Sequence, residues 1–136
     1  MLDSYKNLTV WQKSVELVLA VYEVTERFPR SEMYGLTVQM RKAAVSIPSN
    51  IAEGKMRGTR RDYRHFLLNS YGSGAELETQ VHIAKLLTFG RALDWSRVDG
   101  LLNETMRMLN VLIRKLDLVP EAVVSGQEAN DLKPIT

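Results

Sequence analysis

The sequence predicts an all-α protein, an antiparallel up-down-up-down four-helix bundle. Three observations carry that expectation. Four segments repeat their apolar residues at spacings of three and four, the period of one helix face. The breaks between them, at 29–32, 55–58 and 90–94, are short, which makes consecutive helices antiparallel neighbours. No segment alternates apolar and polar residues as a half-buried strand does. A chain of 136 residues, 45% hydrophobic and 25% charged, suits one soluble domain with one core. That domain is placed at residues 1–117, and residues 118–136 are read as a mobile acidic tail.

The first segment starts near Asn7 or Thr9, either of which can cap a helix. Trp11, Val15, Val18 and Tyr22 form its stripe, widened by Val10, Leu17, Val21, Val24 and Phe28, and Pro29 stops it. The second runs from about Glu32 to Gly54, with Leu36, Met40, Ala43, Ile47 and Ile51 in register. Pro48 lies inside that run. The stripe continues past it, so one bent helix is expected rather than two, with Gly54 as the C-terminal stop.

Thr59 opens the third segment, and Asp62 three residues on resembles a capping box. Tyr63, Leu67, Ser70, Gly74, Leu77, Val81, Ala84 and Thr88 make a heptad seam, with Gly90 as its end. Ser70, Gly72, Ser73, Gly74 and Ala75 let another helix approach closely. Glycine costs about 1 kcal/mol in a helix, so packing must compensate. The fourth segment starts at Asp94 or Ser96 and carries Val98, Leu102, Thr105, Leu109, Leu112 and Leu116, with Met106, Met108 and Ile113 beside them. Pro120 blocks its continuation.

The chain has no cysteine, which excludes disulfides, thiolate metal sites and a cysteine nucleophile, and fits a reducing cytoplasm. No signal peptide or membrane span is read: the most apolar stretch, Val15 to Val24, is short and holds Glu16 and Glu23. His65 and His82 lie nearly five turns apart on one helix and cannot share a metal. No Glu-x-x-His pair or phosphate-binding glycine loop occurs. Neither enzymatic activity nor a cofactor or metal is therefore expected. Gln39, Arg41, Asn50, Glu53, Glu76, Glu78 and Gln80 lie beside apolar stripes. They are read as hydrogen bonds and ion pairs that fix helix register or a subunit contact, with Arg41 to Glu76 or Glu78 as one pairing.

Net charge is +2, unevenly spread. Residues 41–65 hold seven bases (Arg41, Lys42, Lys55, Arg57, Arg60, Arg61, Arg64) against Glu53 and Asp62, a net of +5. Residues 118–136 hold Lys133 against Glu121, Glu128 and Asp131, a net of −2. Lys55, Arg57, Arg60, Arg61 and Arg64 gather at one corner, where the free amides of a helix N-terminus add partial positive charge. Guanidinium geometry suits phosphate oxygens, so the corner is a candidate site for RNA or DNA backbone. The competing reading is an ordinary solvated corner.

Residues 28–54, FPRSEMYGLTVQMRKAAVSIPSNIAEG, resemble the signature of the four-helix-bundle proteins encoded by intervening sequences in bacterial 23S rRNA genes. Phe66 and GSGAELETQVHIAKLL, from Gly72 to Leu87, support the resemblance, which covers roughly residues 5 to 117. It implies a bundle assembled into a ring-like homopentamer. It also implies a relation to the accessory proteins of diversity-generating retroelements, which bind nucleic acid and a reverse transcriptase. No catalytic residue transfers. A ring would repeat the basic corner around one rim, and repetition strengthens weak sites. Two functions are therefore expected in order: nucleic-acid binding at the corner, then an oligomeric scaffold for a protein partner.

Overall fold

The computed structural model of the protein describes residues 4–117. The expected tail at 118–136 lies outside the described residues. Regular structure among those described is all helical, with no strand. A 3-10 turn at Tyr5–Asn7 precedes α1 (Thr9–Thr25). A 3-10 turn at Arg30–Glu32 and a π turn at Met33–Thr37 lead into α2 (Val38–Met56). Then come α3 (Arg60–Leu86), the single turn α4 (Thr88–Arg91) and α5 (Ser96–Asp117).

The four long helices pack in a cycle: α1 touches α2 and α5, and α3 touches α2 and α5. Cross-helix pairs give the directions. Ser46 meets Ser73 while Gly54 meets Phe66, so α2 and α3 are antiparallel. Lys85 meets Asp99 while Arg64 meets Asp117, which sets α3 against α5. Glu23 with Arg97 and Lys13 with Glu104 do the same for α1 and α5.

The seams of α3 and α5 match their sequence periodicity except at Thr88, which lies past the end of α3, in α4, and is exposed. Tyr63, Leu67, Ser70, Gly74, Leu77, Val81 and Ala84 are buried, as are Val98, Leu102, Thr105, Leu109, Leu112 and Leu116. Each fully enclosed leucine, such as Leu77 or Leu109, contributes roughly 1.5–3 kcal/mol of transfer free energy. Three small residues of α3 serve as expected, Ser73 through its hydroxyl contact with Ser46 of α2 at 2.8 Å. A Cβ on Gly74 would collide with the Met106 thioether of α5. The Ser70 hydroxyl donates to the Ile47 carbonyl of α2 at 2.9 Å. Gly72 and Ala75 are exposed and take no part in these contacts.

Several expectations are corrected. The core stripe of α1 is Val10, Ser14, Leu17, Ala20, Val21 and Val24. The Trp11, Val15, Val18 and Tyr22 stripe lies on a half-covered face, because both sets satisfy helical spacing. Neither Asn7 nor Thr9 caps α1; Leu8 holds that position without a side-chain bond. The helix ends at Thr25, and Phe28 still enters the core, against Phe89 at 4.8 Å between ring centroids.

The second segment is not helical from Glu32: Gly35, at φ −109° and ψ −115°, breaks it before α2 begins. Once started, α2 runs unbroken through buried Pro48, as the register of its stripe requires. Gly54 does not end it. A Cβ there would stand 2.7 Å from the Phe66 Cβ, so Gly54 is a point of close approach between α2 and α3. The turn is made by Gly58, at φ +89°, a conformation that side chains disfavour. The Thr59 hydroxyl then caps α3, accepting the Asp62 N–H at 3.1 Å.

At the other end α3 stops at Leu86, and Gly90 sits in α4 with no room for a Cβ beside the Ala84 carbonyl. Trp95 donates its indole N–H to the Gly90 carbonyl at 2.9 Å. Asp94 accepts from the Ser96 backbone and hydroxyl at 3.0 and 2.7 Å, which holds its carboxyl below the usual range. Asp99 accepts from Lys85 at 2.7 Å.

Candidate functional site

The α2–α3 turn brings all five residues of the predicted basic corner to one end of the molecule. They are not equivalent. Arg57 is pinned by Glu53 one helical turn earlier, Nε and Nη2 donating to Oε2 at 3.1 and 3.0 Å. Its guanidinium also covers the Phe66 ring at 4.9 Å. The Lys55 ammonium lies 5.6 Å from the Tyr63 ring centroid. Arg64 reaches across to α5 and pairs with Asp117, a partner that only the tertiary fold supplies. Arg61 is exposed on the first turn of α3.

Arg60 Nε and Nη2 are enclosed without a hydrogen-bond acceptor, and desolvation lowers its pKa from the ordinary arginine value. Beside it the Tyr63 hydroxyl is also enclosed without a partner, and burial pushes its pKa up to about 12. By formal charge the five bases outnumber Glu53, Asp62 and Asp117 by two. Such a corner can attract a polyanion, although among the described residues Arg57 and Arg64 already pair with carboxylates.

The polar residues expected to fix register scatter. Arg41 does not reach α3. Its Nε donates to the Thr25 hydroxyl at 2.9 Å, Nη2 lies 3.7 Å from Glu26, and the guanidinium stands 4.4 Å over Tyr22. It sits on the α1 side of α2, whereas Ser46 and Ile47 face α3, so a pair with Glu76 or Glu78 is out of reach. Asn50 donates to the Ser46 carbonyl and hydroxyl at 2.8 and 3.0 Å within α2. Gln39, Glu76 and Glu78 are exposed; Gln80 is buried and reaches Glu76 at 3.5 Å. These residues form no common pocket. Among the described residues no group of three or more His, Asp or Glu side chains is placed to hold a metal ion. No described helix is long and apolar enough to cross a membrane.

Sequence reasoning missed the groove between α1 and α2. Tyr22, Met33, Tyr34, Thr37, Val38 and Val45 line it, and Tyr34 is 92% exposed. The signal was present in the second apolar stripe of α1, which was assigned to the core.

Fold and site together define a class: an all-helical protein with a basic corner and an open apolar groove. The chain belongs to the 23S rRNA-intervening sequence protein family, whose model matches residues 6–111. No curated protein matches it.

Proposed function

We propose that the protein is a non-catalytic, antiparallel up-down-up-down four-helix bundle that assembles into a homo-oligomeric ring, a pentamer by the family resemblance. In that reading it binds RNA or DNA in the cytoplasm through the corner of Lys55, Arg57, Arg60, Arg61 and Arg64. The carrying observation is that five bases flank a tight glycine turn at the N-terminus of a long helix. Contacts would be to phosphates, tolerant of sequence and weakened by salt.

The test is binding of a structured RNA and a duplex DNA by wild type and by Arg57→Glu with Arg61→Glu. Both positions are exposed, so the fold should hold. Loss of binding in the double variant is expected, and unchanged binding overturns the reading. A scaffold function for a protein partner is the second reading, favoured by the exposed groove at Tyr22, Tyr34 and Val38.

A further inference from the structure

Helix α1 carries two apolar faces where a monomer needs one. Its second face, Trp11, Val15, Val18 and Tyr22 with Leu19 beside it, is half-covered or exposed. Beyond Tyr22 the face continues onto Met33, Tyr34, Val38 and Val45, which wall an open groove of about 610 Å³. Lys42 stands in its wall, one turn after Val38 and one before Val45. It is exposed and makes no ion pair among the described residues.

Helix α3 also has a second face. Opposite its buried seam, Leu68, Gly72, Ala75, Thr79, Ile83 and Leu86 recur at spacings of 4, 3, 4, 4 and 3, all exposed. Leu86 is 64% exposed. A Cβ on Gly72 would meet nothing within 4 Å, so no contact inside the chain requires glycine there, in contrast to Gly74. In mid-helix that choice costs about 1 kcal/mol against alanine. Glu76 lies on this ridge between Gly72 and Ile83, exposed, 3.5 Å from the Gln80 amide and in no ion pair among the described residues.

The two faces are complementary in shape and charge. One is a groove with a lysine between two valines; the other is a ridge with a glutamate between a glycine and an isoleucine. A two-fold contact whose axis passes beside Lys42 or beside Glu76 would set like charges together. Pairing groove with ridge sets opposite charges together and covers both apolar faces. We propose that the α1–α2 groove of one copy receives the α3 ridge of the next, with Lys42 facing Glu76. Such a heterologous contact propagates head to tail and closes as a ring when the rotation permits. This inference rests on the oligomeric part of the reading above and adds the faces and their polarity.

Sedimentation velocity on wild type, Val45→Glu and Ile83→Glu tests it. Both substituted positions are exposed, at 41% and 43%, and circular dichroism checks that the fold is kept. Wild type should assemble, and each variant alone should be monomeric. Each variant retains one intact face, so an equimolar mixture should form a dimer and nothing larger. A monomeric wild type overturns the oligomeric reading itself. If wild type assembles but the variants do too, or their mixture stays monomeric, the assembly stands and the assigned faces fall.

Discussion

The two connections of α3 are built in opposite ways. At its C-terminal end, residues 87–95 close over an aromatic cluster: Phe28 meets Phe89 and Trp95 at 4.8 and 6.1 Å, and the Trp95 indole is tied to Gly90. At its N-terminal end, residues 57–59 turn on Gly58 alone, surrounded by arginines that lie exposed or half-covered. The first connection is closed by buried apolar area. The second rests on the close approach of Gly54 to Phe66 and on the Thr59 cap, with its arginines toward the surface. That difference is the physical reason for assigning structure to one end and binding to the other.

The largest effect should come from opening the closed end. Trp95→Ala removes a buried ring and should cost about 3–5 kcal/mol, whereas Arg57→Ala, losing one exposed ion pair, should cost under about 1 kcal/mol. Denaturant titration compares them directly, and equal losses would erase the contrast. A second prediction concerns the helix contact that makes the open corner possible. Gly54→Ala puts a methyl group against Phe66, and overpacking of this kind costs about 1–3 kcal/mol, read as a lowered denaturation midpoint.

A smaller effect should come from pH at the same corner. The Tyr63 phenol is held up to about 12 by burial, from an ordinary value of 10.0. As pH rises from about 10 to about 12, the unfolded chain releases that proton and the folded chain keeps it, so stability falls across that window. Tyr63→Phe should flatten the loss, which denaturant melts at pH 9 and pH 11 would reveal.

Much of this was legible in the sequence where one stripe of a helix is clearly the more apolar. The seam of α5 emerges residue by residue, and that of α3 from Tyr63 to Ala84, because the competing stripe of α3 carries Gly72, Ala75 and Thr79. It failed on α1, where Val10, Leu17 and Val21 satisfy the same spacing as Trp11, Val18 and Tyr22, and only packing decides which set is enclosed. Gly54 and Gly90 read as stops because glycine often ends helices; both serve close contact instead, which depends on partners distant in sequence. The five basic residues were found from charge alone. Their pairing was only half visible: Glu53 with Arg57 follows from helical spacing, whereas Asp117 with Arg64 needs the fold.

The central claim is that the open corner contacts phosphates. Fluorescence anisotropy of the wild type and of Arg57→Glu with Arg61→Glu, against structured RNA and duplex DNA across a salt series, tests it most directly. The account predicts a steep fall of log affinity with log salt for wild type. In the double variant binding should vanish, or keep a slope shallower by about 2, since each lost phosphate contact removes somewhat under one unit. No binding by wild type at low salt, or an unchanged slope in the double variant, would contradict it.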